Sequence, residues 1–274
     1  MLINCQGKLI DLAFPKVMGI LNLTPNSFYD GGKYANDAAV LKQVEQMLAD
    51  GADFIDVGAY SSKPNAEFVS TEEELNRLIP ALKSILKEFP ITLISIDTFR
   101  SEVAKQAIEA GASMINDISA GRLDEKMMET VAKLHVPYIM MHLKGTPQTM
   151  VQFTDYEDVV KEVLFYFSEK IALARSFGIN DIIVDPGFGF AKTVEQNYEI
   201  LQKFELFSSL ELPLLVGISR KSMVYKPLQT TAAQALNGTT ALNMLALTKG
   251  GSILRVHDVK EAVECVHLFS LMSL

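Results

Sequence analysis

The sequence predicts a closed (β/α)8 barrel, the TIM-barrel class, from three observations. Eight short apolar runs each stop at a polar or charged residue. Helical patterns separate these runs, and alternation of strand and helix calls for parallel strands joined by right-handed crossovers. The 274 residues, 49% hydrophobic and 21% charged, suit one α/β barrel of this length. We therefore expect a single domain spanning 1–274.

The polar ends of the runs indicate one shared site. Buried parallel strands read as near-continuous hydrophobic runs, and the residues at their carboxyl ends face a common mouth. In chain order the runs end at Asn22, Asp56, Asp97, Asn116, His142, Asp185, the segment Ser219 to Lys221, and Arg255 with His257. We expect apolar walls for this mouth from Ile20, Met140 and Phe190.

Each remaining element has its own local signal. The leading residues, Met1 to Leu12, predict a small hairpin that plugs the amino-terminal end of the barrel. Apolar residues at helical spacing, with capping residues at the ends, predict the helices. The first predicted helix runs from Asp37 to Gly51. The second starts at a Thr71–Glu74 capping box and should kink at Pro80. The others span Ser101–Gly111, Asp124–Leu134, Tyr156–Phe177, Thr193–Glu205, Thr231–Lys249 and Val259–Leu271. A doubly wound open sheet is the alternative, but VMGILNLTPNSF lacks its glycine-rich phosphate turn.

Composition narrows the class of protein. The formal net charge of −8, with no basic run, argues against nucleic-acid or anionic-membrane binding. Two cysteines, Cys5 and Cys265, are too few for a disulfide framework and lack metal-ligand spacing. The N-terminus has no signal-peptide pattern, and no segment reaches about 20 continuous apolar residues. We expect a cytoplasmic protein with free thiols.

Several carboxylates and an amide at one mouth suit either a divalent metal or a flat heterocycle rich in hydrogen-bond donors. The apolar walls favour the heterocycle, although aspartates at strand ends can simply cap the following helices. Arg255 and His257 leave the last strand, where barrels often bind phosphate, or else pair with a carboxylate such as Asp258. Lys221 suits an electrostatic donor or a Schiff-base amine.

Two long loops at the mouth are predicted to be mobile and functional. The first, Asn22 to Gly32, mixes turn formers with Phe28 and Asp30 and is too long for a minimal connection. The second, Ala59 to Ala66, carries Lys63. Aromatic residues in the first loop favour a lid.

Nine segments from the first to the eighth predicted strand carry recognisable motifs: GILNLTPNSFYDGG, FIDVGAYSSKP, SIDTFR, INDISA, MHLKGTPQTM, DPGFGF, GISRKS, NGTTALN and ILRVHDV. Together they resemble the bacterial dihydropteroate synthase family over essentially the whole chain. The resemblance implies a folate-pathway transferase that joins 6-hydroxymethyl-7,8-dihydropterin pyrophosphate to p-aminobenzoate, releasing pyrophosphate in an SN1-like reaction. It also implies Mg2+, sulfonamide competition at the aminobenzoate site, and a homodimer formed through outer helices.

The resemblance also implies roles for individual residues. The pterin would be held by Asp97, Asn116, Asp185, Lys221, Met140, Ile20 and Gly217, and the pyrophosphate by Asn22, Lys63, Arg255 and His257, with Asn22 also binding the metal. The p-aminobenzoate would lie among Phe28, Ser62, Pro64, Phe188, Phe190 and Ser219. The catalytic residues would be Asp30, Lys221, Arg255 and His257, with Asp30 stabilising a pterin methylene cation. The resemblance implies that Lys221 is a hydrogen-bond donor and not a Schiff-base amine.

One loop departs from the family pattern. The family commonly has an acidic residue followed by Ser-Thr-Arg-Pro-Gly, where this chain has Tyr60 to Asn65 with Lys63 in place of arginine. Lysine keeps the charge but loses the bidentate fork. Two alternatives to the synthase are a methyltetrahydrofolate-dependent corrinoid methyltransferase, which needs no pyrophosphate clamp, and a non-catalytic pterin-binding protein.

Overall fold

The computed structural model describes residues 1–23, 32–60 and 69–272, with side chains omitted for residues 32–36. Its strands are β1 (Leu2–Cys5), β2 (Lys8–Asp11), β3 (Lys16–Asn22), β4 (Phe54–Gly58), β5 (Leu93–Asp97), β6 (Met114–Asp117), β7 (Tyr138–Met141), β8 (Ile182–Asp185), β9 (Leu215–Val216) and β10 (Ile253–Val256). Its α-helices are α1 (Gly32–Ala49), α2 (Thr71–Glu88), α3 (Ser101–Glu109), α4 (Met127–Leu134), α5 (Val159–Ser176), α6 (Val194–Gln202), α7 (Ser222–Tyr225), α8 (Leu236–Thr248) and α9 (Val259–Met272).

Eight parallel strands form the barrel, in the order β8-β7-β6-β5-β4-β3-β10-β9. A parallel bridge between Val184 and Leu214 joins β8 to the residue before β9 and completes the ring. The predicted barrel is therefore confirmed. All eight carboxyl ends lie at one mouth, because parallel strands in a ring share one direction.

The predicted amino-terminal hairpin is also confirmed. Strands β1 and β2 pair in antiparallel register, with Ile3 opposite Ile10. Ile3 and Cys5 pack with residues from the early part of the barrel strands, among them Met18 and Phe54, in one buried cluster. The hairpin thus closes the end of the barrel opposite the mouth.

Helix starts differ from the prediction in four places. Asp37 lies inside α1, which begins at Gly32. The N-cap of α2 is Ser70, whose hydroxyl accepts from the backbone N–H of Glu73. Glu74 is 1% exposed and its carboxylate accepts from Thr98 Oγ1 at 2.7 Å, so tertiary partners remove it from the cap. Helix α4 begins at Met127 rather than at Asp124, and helix α8 begins at Leu236 rather than at Thr231.

The other helix predictions agree with the structure to within a few residues. Helix α2 continues through Pro80 to Glu88. Helix α6 has Thr193 as its N-cap, in a capping box with Gln196. No helix in the described ranges is long and apolar enough to cross a membrane.

Candidate active site

Side-chain alternation along the strands decides which residues reach the mouth. Asp97 is in register with Asn116 on the next strand, and Met141 is in register with Asp185. Registered residues on neighbouring strands point to the same face. Asp56 lies within β4 rather than at its end, in register with Ile20. These positions form an inner layer directly below the mouth.

Arg255 joins two carboxylates across this layer. Its Nε donates to Asp56 Oδ2 at 2.6 Å and its NH2 group donates to Asp97 Oδ2 at 2.7 Å. Asp56 is fully buried. A guanidinium has five N–H donors, so three remain for other acceptors after these two bonds.

The same carboxylate orients the amide of Asn116. Asn116 Nδ2 donates to Asp56 Oδ2 at 3.0 Å. This bond directs the amide nitrogen toward Asp56, which leaves the amide oxygen as an acceptor for a ligand. The other Asp56 oxygen, Oδ1, is buried and has no hydrogen-bond partner among the described residues.

Burial changes the proton affinity of Asp97. Loss of solvent raises its pKa to about 7, against the opposing charge of Arg255, and the nearby carboxylates of Asp56 and Glu74 add to the rise. A carboxyl group with a raised pKa accepts a hydrogen bond from a ligand when ionised and donates one when protonated. Asp97 therefore suits a partner with both donor and acceptor atoms.

Asp185 and Lys221 flank an open space over Gly217. A β-carbon placed on Gly217 would lie 3.5 Å from Lys221 Nζ and 3.8 Å from Asp185 Oδ2. Burial raises the pKa of Asp185 and lowers the pKa of Lys221 to about 8, while each charge opposes the shift of the other. A flat group beside Gly217 would therefore contact both a carboxylate and an ammonium.

Lys221 is held by the loop that follows β8. Its Nζ donates to the carbonyl oxygen of Phe188 at 2.7 Å and lies 4.5 Å from the centroid of the Phe190 ring. The Phe188 ring itself is fully buried and packs on Phe204, with 5.9 Å between ring centroids. The prediction that Phe188 lines the site is wrong, because its side chain belongs to the hydrophobic core. The Phe190 ring, beside the Lys221 ammonium, lies at the mouth instead.

The prediction that Met140 forms an apolar wall of the mouth is also wrong. Met140 is buried in the cluster between the strands and the helices, together with Val184. Successive side chains in a strand point to opposite faces. Met141, the next residue, therefore occupies the inner face and packs in a cluster with Phe190 beside it. The alternation within YIMM is the sequence signal that distinguishes the two methionines.

Ser219 and His257 form a second pair at the mouth. The backbone N–H of His257 donates to Ser219 Oγ at 3.1 Å, and this oxygen lies 3.0 Å from His257 Nδ1. Either atom can donate in the Oγ–Nδ1 contact, depending on the tautomer of the ring. Desolvation of the ring, with the charge of Arg255, lowers the pKa of His257 to about 4. The free protein therefore carries neutral His257.

Arg255 pairs with carboxylates, as the alternative interpretation expected, but its partners are Asp56 and Asp97 rather than Asp258. Asp258 accepts from Arg220, from Nε at 2.8 Å and from NH2 at 2.7 Å. This bidentate pair ties the loop after β9 to the loop after β10. It supports Ser219 and His257, since each is next in sequence to one member of the pair.

Five predicted site residues lie outside the described residues: Phe28, Asp30, Ser62, Lys63 and Pro64. Asn22 is the exposed last residue of β3, at the mouth. Ile20 is on the same strand, two residues earlier, and is 7% exposed.

The sequence assigned no specific role to Asp56 or His142 and did not identify Lys192 as a site residue. Lys192 is 9% exposed and His142 is 2% exposed, and Lys192 Nζ lies 3.0 Å from His142 Nδ1. A lysine directly after the apolar FGFA segment was the available signal for a buried cation. His142 was identified only as the end of a strand.

No group of three or more His, Cys, Asp or Glu side chains in the described part of the chain is arranged to hold a metal. Asn22 offers one amide oxygen at the mouth. Mg2+ prefers oxygen ligands, retains several waters, and is often bound by few protein groups together with substrate phosphates. The residues present fit a magnesium ion that arrives with a phosphorylated ligand.

The family model for pterin-binding enzymes matches residues 18–257. A dihydropteroate synthase from Synechocystis is 45% identical over 89% of this chain and 85% of the relative. The enzyme from Escherichia coli K12 is 42% identical over 96% of this chain and 93% of the relative.

Solved structures agree. A sulfonamide complex of Yersinia pestis dihydropteroate synthase has a TM-score of 0.93 and 38% identity, covering 100% of this chain and 99% of that one. The Xanthomonas albilineans enzyme in complex with 7,8-dihydropteroate has a TM-score of 0.89 and 34% identity, with coverage of 100% and 99%. The chain belongs to the pterin-binding enzymes, among the dihydropteroate synthases.

Proposed function

We propose that this chain condenses 6-hydroxymethyl-7,8-dihydropterin pyrophosphate with p-aminobenzoate to give 7,8-dihydropteroate and pyrophosphate. The space over Gly217 between Asp185 and Lys221 carries this proposal. A β-carbon there would make van der Waals contact with both charged groups, at 3.5 and 3.8 Å, so a planar ring beside Gly217 would contact both. One edge of a pterin offers an amine and a ring N–H to a carboxylate, and its carbonyl oxygen accepts from an ammonium.

Asp97 and Asn116 would bind the opposite edge of the pterin. The bond from Asn116 to Asp56 supports this role, because it turns the amide oxygen toward the ligand. The raised pKa of Asp97, about 7, supports a partner with mixed donors and acceptors. Ile20 and Met141 would provide the apolar walls.

Arg255 and His257 would bind the departing pyrophosphate, together with Asn22 and Lys63. Arg255 has three N–H donors left after its bonds to Asp56 and Asp97. Donors fixed before the reaction stabilise negative charge as it develops on the leaving group. An arriving pyrophosphate also favours the protonated form of His257, since a nearby anion raises an imidazole pKa.

The reaction would break the bond between the pterin methylene carbon and the bridging oxygen, whose electron pair leaves with pyrophosphate. The amine nitrogen of p-aminobenzoate then bonds to that carbon and releases one proton. Asp30 would stabilise the positive methylene group. Phe28, Ser62, Pro64, Phe190 and Ser219 would bind p-aminobenzoate, whose amine is a neutral nucleophile and needs no general base.

Mg2+ would be held by Asn22 and by oxygens of the substrate. When bound, it would neutralise charge on the pyrophosphate. The amide of Asn22 at the end of β3 supports this placement. The protein residues themselves bind and orient the two substrates.

We infer that residues 1–274 form one domain and that the protein is a homodimer. Helix α9 packs on β3, the first barrel strand, which supports a single closed unit. Exposed apolar side chains on α8 and α9, Leu245, Leu268, Leu271 and Met272, support a dimer through outer helices. Analytical ultracentrifugation of the wild type and of Leu268→Glu with Leu271→Glu tests this, with loss of a dimer expected in the double variant. The cytoplasmic location stays a prediction.

The test of function supplies the pterin pyrophosphate, p-aminobenzoate and Mg2+ to the purified protein. We expect equimolar formation of pyrophosphate and 7,8-dihydropteroate. Pyrophosphate release with pterin alcohol as the product would indicate a pterin-binding hydrolase instead. Methyl transfer to a corrinoid without pteroate formation would support the corrinoid methyltransferase, which the relatives named dihydropteroate synthase disfavour.

A further inference from the structure

The loop from Asp185 to Phe190 supplies three parts of the pterin site. They are the Asp185 carboxylate, the Phe188 carbonyl oxygen that accepts from Lys221, and the Phe190 ring beside the same ammonium. A small change in this loop would therefore move the carboxylate and the ammonium together. The groups that hold the loop become part of substrate recognition.

Lys192 holds this loop from behind. Its Nζ donates to the carbonyl oxygens of Gly187 and Phe190, both at 3.0 Å, and lies 3.0 Å from His142 Nδ1. An ammonium has three N–H groups, and each one has a partner here. The two carbonyl groups lie on either side of Phe188, so one side chain clamps the turn that presents the Phe188 carbonyl to Lys221.

His142 ties the same loop to the neighbouring strand. Its backbone N–H donates to the Asp185 carbonyl at 3.0 Å, and its ring packs edge-on against Tyr166, with 4.8 Å between centroids. A β-carbon on Gly187 would lie 2.2 Å from the His142 carbonyl oxygen. The loop thus lies directly against His142, with no room for a side chain at position 187.

Lys192 is a buried cation whose three near partners are all neutral. The salt bridges of the described residues do not include it. A buried charge without an adjacent counter-charge is costly, so packing alone does not explain it. Asp185 is the anion whose charge acts on it, while Lys221 and Lys144 oppose its charge.

We propose that Lys192 and His142 are positioning residues that set the Gly187–Phe190 turn and thereby the spacing of Asp185 and Lys221 for the pterin. This inference rests on the proposed function.

The hydrogen bonds survive a change of protonation. Burial lowers the pKa of Lys192 to about 7. A neutral amine donates to both carbonyls and accepts from His142 Nδ1–H, so the same atoms remain bonded. The geometric role of Lys192 is therefore independent of pH, whereas its charge acts on Asp185 only below about pH 7.

The experiment titrates the wild type and variants with the pterin alcohol from pH 5 to 9. Lys192→Met removes all three donors at similar volume, and Lys203→Met, in an exposed i,i+4 pair with Glu199, is the matched control. Displacement of a recognition group by about 1 Å can cost about 100-fold, so we expect Lys192→Met to weaken pterin binding about 10- to 100-fold. Lys203→Met should bind as the wild type does.

The pH profile separates positioning from general damage. Lys192, Lys221 and Arg255 all lower the pKa of Asp185. Removing one cation raises that pKa, so the acid limb of binding in Lys192→Met should move to higher pH. Unchanged affinity and an unchanged acid limb in a folded Lys192→Met protein would overturn the proposal.

Two His142 variants keep the test decisive if Lys192→Met does not fold. Asparagine can present an amide oxygen near the Nδ1 position, whereas leucine cannot accept a hydrogen bond. His142→Asn should retain pterin affinity and His142→Leu should lose it. Equal affinities would overturn the proposal. Failure of the wild type to bind the pterin alcohol would instead reject the proposed function.

Discussion

Arg255 Nε donates to Asp56 Oδ2 at 2.6 Å, which ties the last barrel strand to the second one across the inner layer. The two residues are 199 positions apart in sequence. Asp56 also accepts from Asn116, so one carboxylate orients both a cation and an amide. Because Asp56 lies within β4 and not at the mouth, we expect it to orient ligand-binding groups rather than to bind the ligand itself.

Asp56→Ala should destabilise the fold. Arg255 keeps Asp97 as a partner in this variant, but Arg255 Nε and Asn116 Nδ2 lose their acceptor. Each buried group left without a hydrogen-bond partner costs about 1–3 kcal/mol. Urea denaturation of the free protein measures this, with Glu129→Ala as the control, because Glu129 and Lys133 form an exposed i,i+4 pair. Similar losses in the two variants would contradict the importance of the buried pair.

Arg255→Lys should weaken binding of the pterin pyrophosphate more than binding of the pterin alcohol. Lysine keeps the charge near Asp56 and Asp97 but cannot bond both carboxylates and a phosphate at once. Loss of a charged hydrogen bond of about 1.5–3 kcal/mol corresponds to about 10- to 100-fold for the ester. Calorimetric titration with both ligands measures the difference. Equal losses for ester and alcohol would refute the clamp.

Asp185→Ala should abolish pterin binding while leaving a folded protein. The variant removes the carboxylate that meets the pterin amine and ring N–H, and it also removes an anion opposite Lys221. Equilibrium binding of the pterin alcohol and circular dichroism give the two readouts. Retained binding in the alanine variant would place the pterin elsewhere.

The pH profile of kcat/KM for the pterin substrate should be bell-shaped. This parameter reports ionisations of the free enzyme. The alkaline limb should lie near pH 8, where Lys221 loses its positive charge, and the acid limb should report protonation of Asp185, whose pKa is raised by burial. Arginine stays protonated to high pH, so the pH profile of Lys221→Arg should have no alkaline limb, whatever the absolute value of kcat/KM. An alkaline limb that persists in this variant would mean that a group other than Lys221 causes it.

Phe188→Ala and Phe190→Ala should separate stability from catalysis. The Phe188 ring is fully buried, and truncation of a core phenylalanine costs about 3–5 kcal/mol. Phe190 is half-buried beside Lys221, so its loss should raise KM for p-aminobenzoate with a smaller effect on stability. Denaturation and steady-state kinetics on both proteins test this, and the reverse pattern would exchange the two roles.

Removal of Mg2+ with EDTA should stop turnover and leave binding of the pterin alcohol intact, because the alcohol has no pyrophosphate to share a metal. Asn22→Ala should raise the Mg2+ concentration needed for half-maximal rate. Full activity in EDTA would reject the metal. An unchanged Mg2+ requirement in the variant would remove Asn22 from its site.

Much of the candidate site could be predicted because its groups follow strands. Asp97, Asn116, Asp185 and Lys221 are recognisable as polar residues after apolar runs. Two errors came from side-chain direction rather than from position in the chain. Met140 and Phe188 lie beside residues that do reach the mouth, but their own side chains point into the core.

The sequence by itself determined the barrel and the set of groups at its mouth, because hydrophobic periodicity and strand direction are local properties of the chain. Only the tertiary structure decided the pairings. Asp56 with Arg255, Asp258 with Arg220, and Lys192 with His142 join residues far apart in sequence. Closure of the barrel brings these residues together. Burial then favours the pairs, because an unpaired buried polar group is costly in free energy.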